Sequence, residues 1–383
     1  MNKLEGTVEL NTHDVESSLS WFERAARQKI ETLKKLGKPS LGWVSVYTPE
    51  EIIHAAGVVP FRITGEQTSS DSMARAALFS NICPYILSCL EEGIQNMYDF
   101  SQGIIIVNTC DARRRLYDAW KYYVDTPFVY MIDLPKSISP ASEGYFQRQV
   151  TLFLKTLEKH FNRTISDEAL HESINLWNRT RYLLQKLYDL RKSKNPPISG
   201  SRTLTIVKAA TSMDRPEYNE KLERLLEVLE TSGEEQKNTG PRILLSGSYV
   251  DDTQFIELIE QSGATVVCDD LSHGVKYFDG YVDQNEDPVK ALADYYLHKA
   301  PCAIMIDTER RADHMRKLVN AFRADAVIYF SIKFCSTNLL DMSSIKDKLN
   351  ESGVPVLFLE GERSLVNAGQ LKTRIQAFLE MLH

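Results

Sequence analysis

Six cysteines are the residues of this 383-residue chain whose chemistry is most distinctive, because thiolates bind soft metals and iron–sulfur clusters. They are Cys83, Cys89, Cys110, Cys268, Cys302 and Cys335. No two are separated by only two residues, which excludes zinc ribbons and ferredoxin-type runs. Cys83 and Cys89 lie roughly 240° apart on an ideal helix and could share a ligand only if the helix begins between them. Spacing alone leaves open that all six are buried free thiols.

Local sequence predicts where several of these thiols lie. Pro84 is favourable at the first position of a helix, which puts Cys83 at a helix N-terminus, where the dipole favours an anionic sulfur. Cys110 follows the apolar run GIIIVN, and Asp111 is expected to cap the next helix.

Two further cysteines are predicted near strand ends. Cys268 ends the run ATVV, and Cys335 lies just past the run AVIYF and its extension SIKF. The carboxyl ends of parallel strands face a shared crevice, so we expect Cys110, Cys268 and Cys335 to converge there. The segment KAPCAIMID around Cys302 could be strand or loop.

The elements that must position these thiols follow an alternating β/α pattern, which predicts parallel sheets covered on both faces. The predicted strands are Trp43–Tyr47, Val58–Ile63, Gly103–Asn108, Pro127–Ile132, Arg242–Ser246, Thr265–Cys268, Ala326–Phe330 and Val354–Leu359. The predicted helices are Val15–Leu36, Pro49–Ala56, Met73–Met97 with a break near Cys83, Asp111–Tyr123, Asp167–Lys192, Pro216–Thr231, Asp251–Gln261 and Gln370–Leu382.

The β/α pattern stops near residue 143 and restarts at Arg242. We therefore predict an α/β fold with two domains, each with a small parallel sheet flanked by helices, and a helical segment between them. The predicted boundaries are 1–142, 143–240 and 241–383. Within the helical segment, Asn195–Gly200 (NPPISG) is a breaker and Glu234–Gly240 reads as a linker.

Composition narrows the cellular setting. The net charge of −7 and the lack of a basic run argue against a nucleic-acid partner. The N-terminus has no apolar signal core, and the apolar runs are too short to span a bilayer. We expect a cytoplasmic protein, in which cysteines stay reduced rather than forming disulfides.

Three side chains are candidate proton donors. His273 and Lys276 lie in DDLSHGVKYF just past Cys268, and Glu66 follows the second predicted strand. The alternative interpretation is that His273 is a loop histidine without a catalytic role and that Lys276 is a solvated charge. The pair Asp269–Asp270 is more simply explained as a helix cap or turn than as an acid/base pair. The sequence contains neither of two glycine-rich phosphate-binding motifs, G-x-x-x-x-G-K-[ST] and G-x-G-x-x-G. The segment SGS at Ser246–Ser248 is typical of an ordinary turn between a strand and a helix.

Five segments together resemble the 2-hydroxyacyl-CoA dehydratase and benzoyl-CoA reductase family. They are YTPEEIIHAAGVVPFRI, CPY at Cys83–Tyr85, NTCD at Asn108–Asp111, IKFC at Ile332–Cys335 and GQLKTRIQAFLEML at Gly369–Leu382. The resemblance implies two domains with a [4Fe–4S] cluster between them, bound by Cys83, Cys110 and Cys335. It also implies an ATP-hydrolysing [4Fe–4S] activator as a separate partner that supplies low-potential electrons.

The three further cysteines, Cys89, Cys268 and Cys302, resemble the double-cubane branch of that family. This branch implies an 8Fe–9S cluster held by six thiolates, a homodimer, and an oxidoreductase that reduces a small molecule. Two alternatives stay open: a [4Fe–4S] component of a dehydratase (a lyase) or of an aromatic acyl-CoA reductase, and a non-redox α/β binding protein.

Overall fold

A computed structural model describes residues 5–68, 70–79, 81–231, 240–363 and 368–382, with side chains from Val15 onward. The predicted linker lies outside the described residues except for Gly240. Among the helices in these ranges, none has an apolar stretch long enough to cross a membrane.

The first sheet has four parallel strands in the order β2-β1-β3-β4. These are β1 (Ser40–Trp43), β2 (Val59–Arg62), β3 (Gly103–Asn108) and β4 (Phe128–Asp133). A Cβ at Gly103 would lie 2.0 Å from the Phe128 carbonyl oxygen, so the start of β3 requires glycine. The first strand was predicted too late, since Val44–Tyr47 leave the sheet and turn toward the next helix.

The second sheet repeats this arrangement with four parallel strands in the order β6-β5-β7-β8. These are β5 (Arg242–Gly247), β6 (Thr265–Asp270), β7 (Ala326–Ile332) and β8 (Val356–Gly361). Strands β6 and β7 are buried along their whole length, as expected of parallel strands covered on both faces. The predicted fold class, two parallel α/β sheets with helices between them, is confirmed.

Sixteen helices surround the two sheets in the described residues. In chain order they are α1 (Glu5–Arg27), α2 (Lys29–Leu36), α3 (Glu50–Ala55), α4 (Ser72–Ala77), α5 (Pro84–Ile94), α6 (Asp111–Tyr123), α7 (Pro140–Phe161), α8 (Asp167–Leu190), α9 (Gly200–Ala210), α10 (Arg215–Thr231), α11 (Thr253–Gln261), α12 (Val275–Phe278), α13 (Pro288–His298), α14 (Thr308–Phe322), α15 (Ser336–Glu351) and α16 (Ala368–Glu380).

Serine caps define the helical segment between the sheets. Ser139, Ser166 and Ser199 each accept a backbone N–H three residues ahead, at the starts of α7, α8 and α9. The predicted breaker Asn195–Gly200 separates α8 from α9. These helices contact both halves, since α8 packs on α3, while α9 packs on α11 and β6.

Buried ion pairs tie the first sheet to these helices and to the second half. Glu51 of α3 pairs with Arg181 of α8, and both side chains are almost fully buried. Tyr296 of α13 donates its hydroxyl to the same carboxylate at 2.8 Å. Removing one partner of such a pair leaves an uncompensated buried charge, so we call Glu51, Arg181 and Tyr296 the interdomain clamp.

Candidate metal centre

Four of the six cysteines line one cavity between the two sheets. Cys83 and Cys110 come from the first half of the chain, and Cys302 and Cys335 from the second. The cavity has a volume of about 70 Å³, and Gly247, the last residue of β5, forms part of its wall. It therefore lies at the carboxyl ends of parallel strands from both sheets, as the β/α pattern predicts. We call it the thiol cavity.

Three of these thiols immediately precede helices. Cys83 precedes α5, Cys110 precedes α6 and Cys335 precedes α15. The prediction that Pro84 opens the helix after Cys83 is confirmed. Three helix N-termini thus meet at the cavity, and their free N–H groups and dipoles favour negative charge there.

The predicted cap at Asp111 is wrong. Asp111 is the first residue inside α6, and the preceding residue Cys110 makes no side-chain capping hydrogen bond. The Asp111 carboxylate instead lies 3.3 Å from the guanidinium of Arg115, one turn along the helix. This leaves the N-terminal N–H groups of α6 free of a competing carboxylate cap.

The turn before α15 fixes the position of Cys335. Phe334 has a φ of 60°, a conformation that costs a non-glycine residue about 1–2 kcal/mol. One turn into the helix, the side-chain amide of Asn338 donates to the Cys335 sulfur at 3.2 Å. Tyr329 donates its hydroxyl to the Asn338 carbonyl oxygen at 2.7 Å, which orients that amide.

Cys302 lies in a loop between α13 and α14. The segment KAPCAIMID, for which the sequence allowed either strand or loop, is therefore not a strand at Cys302. Its backbone N–H donates to the Tyr47 hydroxyl at 3.2 Å. Tyr47 follows β1, so this bond ties the loop to the first half of the chain. Burial and the neighbouring Cys302 raise the pKa of Tyr47, so its hydroxyl stays protonated and neutral.

Burial and the neighbouring thiols raise the pKa of Cys83 and Cys335, which favours their protonated form in the absence of a cation. Burial, followed by the proximity of Cys335 and Cys110, raises the pKa of Cys83 to about 12. Burial also raises the pKa of Cys335. Arg113 lines the cavity, and although burial opposes its charge, the nearby Cys110 raises its pKa. A positively charged group that neutralises several thiolates together would fit this environment.

The other two cysteines are not among the side chains that line the cavity. Cys89 is buried in α5, with its sulfur 3.9 Å from the Ile63 carbonyl oxygen. Cys268 is buried in β6, which continues two residues beyond it, and burial raises its pKa well above the usual value. The structure thus brings together Cys110 and Cys335 of the expected strand-end set, but not Cys268.

The arrangement is not that of a single-ion site. Within the described ranges, no three His, Cys, Asp or Glu side chains are placed to hold one metal ion. A cluster differs from a single ion because each thiolate binds a separate iron atom, so the thiols stand farther apart. The thiolates would bind the positively charged core of an iron–sulfur cluster, and the helix N-termini and Arg113 would stabilise the net negative charge of the thiolate-bound cluster.

Of the predicted proton donors, Lys276 lines the thiol cavity. It is buried, not solvated, and its ammonium donates to the Asp270 backbone oxygen and side-chain oxygen, each at 2.7 Å. The predicted turn at Asp269–Asp270 begins only after β6 ends at Asp270. Asp269 holds that turn by accepting the N–H groups of Leu271 and Val275.

His273 is buried, but it is not among the side chains lining the cavity. Neither ring nitrogen has a hydrogen-bond partner among the described residues. Its ring packs edge-on against Tyr249 with centroids 4.9 Å apart. Burial, then the charge of Arg62, lowers the pKa of His273 well below its usual value. The ring is therefore neutral at physiological pH.

Glu66 lines a different cavity, of about 590 Å³, whose wall includes Pro84. Lys208 lies 3.0 Å from its carboxylate, and burial raises the pKa of Glu66. Asp251 and Arg363 line the same cavity and pair at 2.7 Å. The three predicted proton donors thus occupy three separate environments, and only Lys276 faces the thiols.

Arg113 and Asn338 are the site residues that the sequence reasoning missed. Each lies three residues after a cavity cysteine at a helix start, Arg113 after Cys110 and Asn338 after Cys335. One turn of helix brings such a residue back over the cysteine. The available signal was therefore a polar side chain at i+3 from a thiol that begins a helix.

Fold and site together define an α/β protein with two parallel sheets and a thiol-lined cavity between them. Residues 45–382 match the family model described as 2-hydroxyglutaryl-CoA dehydratase, D-component. The chain therefore belongs to this family, as the sequence resemblance predicted.

Curated relatives span nearly the whole chain. The (R)-phenyllactyl-CoA dehydratase beta subunit of Clostridium sporogenes is 25% identical over 94% of this chain and 96% of its own length. A putative dehydratase subunit of Escherichia coli is 29% identical over 91% and 93%. A benzoyl-CoA reductase subunit of Thauera aromatica is 27% identical over 87% of each.

Proposed function

We propose that this chain is the iron–sulfur subunit of a dehydratase or reductase, with a cluster in the thiol cavity. The observation that carries the proposal is the meeting of four thiols from both halves of the chain, three of them at helix N-termini. Such a cluster would supply electrons at low potential to a small molecule. Relatives named as dehydratase and reductase subunits support the enzymatic part of the proposal.

The ligands follow from the cavity. Cys83, Cys110 and Cys335 are the thiols placed by helix starts, and Cys302 approaches from a loop. A [4Fe–4S] cluster takes four ligands, so these four thiolates would complete a single cubane. If Cys302 stays unbound, one iron keeps an open position at which a substrate could bind.

Residues around the thiols have separable roles. Arg113 offsets the negative charge of a thiolate-bound cluster. Asn338 donates to the Cys335 sulfur, and such bonds raise a cluster's reduction potential. Lys276 has three N–H donors, of which Asp270 engages two. The remaining N–H can give a proton to a molecule reduced in the cavity.

A double-cubane 8Fe–9S cluster is the second candidate, supported by the presence of six free cysteines. It needs six thiolates, whereas the cavity offers four. Cys89 and Cys268 would have to reach it from α5 and β6, where both side chains are buried. The four-thiol cavity favours the single cubane.

We also propose a cytoplasmic location and two kinds of partner. A separate ATP-hydrolysing [4Fe–4S] activator would deliver the electrons. The curated relatives are named as subunits, several of them as beta subunits, which supports assembly with an unlike subunit. A homodimer remains the alternative if the chain forms its own complete site, and sedimentation of the purified chain separates the two.

Iron and acid-labile sulfide, measured per chain on anaerobically purified protein, test the proposal directly. About four irons support the single cubane and about eight the double cubane, by cluster stoichiometry. Protein that binds no iron after anaerobic reconstitution with iron and sulfide would overturn it. The substrate needs a separate assay, in which an acyl-CoA and a small unsaturated molecule are compared as electron acceptors.

A further inference from the structure

Asp270, at the end of β6, lies between Lys276 and His314, which approach different oxygens of its carboxylate. One oxygen, Oδ2, accepts from the Lys276 ammonium at 2.7 Å and from the Ser246 hydroxyl at 2.9 Å. The other, Oδ1, has no hydrogen-bond partner in the described part of the chain. The Nε2 atom of His314 lies 3.4 Å from it and is also without a hydrogen-bond partner there. A proton on Nε2 would complete this contact.

These three side chains run from the thiol cavity toward solvent. Lys276 lines the cavity and is nearly buried. Asp270 has 5% of its side chain exposed, whereas His314 on α14 has 15%. The histidine is therefore the most solvent-exposed member of the group, and water reaches it most easily.

Two polar groups on neighbouring elements are held by partners other than His314 and Asp270. Helix α15 packs on α14, and its Asp341 is held by Arg311 at 2.7 Å. From β7, Tyr329 donates to Asn338 rather than to Asp270. Among the described residues, Asp270 is the carboxylate that lies within ion-pair distance of His314, at 3.4 Å.

Proton donation by Lys276 changes the charge of this group. When an N–H bond of the ammonium breaks and the proton moves to a reduced molecule in the cavity, Asp270 loses its cationic partner. An unpaired buried carboxylate is costly, so a second cation is strongly favoured. Uptake of one proton from water by His314 Nε2 restores the ion pair on the other oxygen, and the total charge of the group is unchanged.

We propose that His314 is the charge-compensating partner of Lys276, taking up a proton through its contact with Asp270 whenever Lys276 gives one to a molecule in the thiol cavity. His314 is a positioning residue that does not touch the substrate. The proposal extends the proton-donor role given to Lys276 above. The coupling itself is measurable without a substrate or an active cluster.

Deuterium exchange of the imidazole Cε1 hydrogen, followed across pH by mass spectrometry, reports the protonation of an individual histidine. We would measure the peptide carrying His314 in the anaerobically purified full chain. In Lys276→Gln, Asp270 has lost its lysine partner, so the His314 midpoint should rise by about one pH unit or more. Lys276→Arg keeps the cation and should leave the midpoint unchanged.

Two further variants complete the test. Asp270→Asn removes the carboxylate and should lower the His314 midpoint, which also covers the case in which Lys276→Gln does not fold. Lys208→Gln removes the lysine beside Glu66 and should not affect His314. An unchanged midpoint in either Lys276→Gln or Asp270→Asn overturns the coupling. Iron content, measured on the same samples, shows separately whether the proposed cluster site is right.

Discussion

The two sheets have the same strand order, and β3 and β7 occupy equivalent positions in them. Each is followed by a cysteine that precedes a helix, Cys110 in the first half and Cys335 in the second. Three residues further on, the first half carries Arg113 and the second Asn338. Equivalent backbone positions thus place one thiol from each half at the cavity. The residue three positions later is a cation, Arg113, in the first half and an oriented amide, Asn338, in the second.

The remaining two cavity thiols lie in equivalent connections, from β2 to β3 and from β6 to β7, but the local structure around them differs. Cys83 precedes α5, which lies between β2 and β3, whereas Cys302 lies in a loop between α13 and α14. The edge strands β2 and β6 also differ in the charged residue at their carboxyl ends. Strand β2 ends at buried Arg62, whereas β6 ends at buried Asp270. The repeated fold therefore places two thiol-bearing connections in each half, and the local structure of the connection around Cys83 or Cys302 is specific to its half.

The largest expected effect separates the equivalent pair from the cysteines outside the cavity. Cys110→Ser and Cys335→Ser should each lose most of the bound iron, because serine is a poor ligand for a soft site. Cys89→Ser and Cys268→Ser should keep it. Iron and sulfide per chain and the visible absorption of the cluster check this. Iron loss in only one of the equivalent pair would break the comparison, and loss of about half the iron in Cys89→Ser would favour the double cubane.

The comparison also requires that the two halves be held in one arrangement by the interdomain clamp. Glu51→Gln should lower the free energy of unfolding by about 3–5 kcal/mol, because it leaves Arg181 buried without its carboxylate. Urea unfolding of wild type and variant measures the difference. The matched control is Glu223→Gln, which breaks the exposed pair with Arg179 and should cost about 1 kcal/mol or less. Equal effects would contradict the role of the clamp.

The buried carboxylate of Asp270, at the end of β6, should make the free energy of unfolding depend on pH in the acid range. Burial opposes ionisation of Asp270, but Lys276 and His314 lower its pKa to about 2. A carboxyl with a depressed folded-state pKa adds stability above its unfolded pKa near 3.8, and this is lost as pH falls toward 2. The contribution is about 2 kcal/mol by linkage. Urea unfolding between pH 6 and 3 should show a steeper acid loss in wild type than in Asp270→Asn; identical slopes would argue against it.

The smallest effect sharpens the contrast between Arg113 and Asn338. Arg113→Gln removes a positive charge beside the cluster, and Asn338→Leu removes one N–H···S bond. Both should lower the reduction potential, on the order of tens of millivolts, since charge and hydrogen bonding set it. We expect the larger shift for Arg113→Gln. Potentiometric titration followed by electron paramagnetic resonance measures both, and an upward shift in either variant would contradict the assigned role.

Much of the fold could be predicted because buried parallel strands appear as apolar runs. Gly103–Asn108 was predicted with its observed bounds, and the start of α5 followed from Pro84. The first strand was displaced because Val44–Tyr47 are as apolar as a strand but pack as a loop. Apolar character reports burial and not hydrogen-bond pairing, so the ends of strands are poorly marked.

The site was harder to predict than the fold. Whether a cysteine reaches a cavity depends on which way it points and on where its strand ends, and Cys268 stays within β6 because that strand continues to Asp270. Cys302 reaches the other thiols through a loop whose path depends on its bond to Tyr47, 255 residues away in sequence. Periodicity carries no information on such long-range contacts.

The packing of α1 has a consequence for how this chain is made. The buried face of α1, with Phe22 against the ring of Tyr218, is covered mainly by α9 and α10. During synthesis, α1 therefore leaves the ribosome long before α9 and α10. The side chain of Phe22 stays exposed to solvent while about 200 further residues are added. Nascent chains that stop before α10 are the ones in which a chaperone should be found on the N-terminal helix.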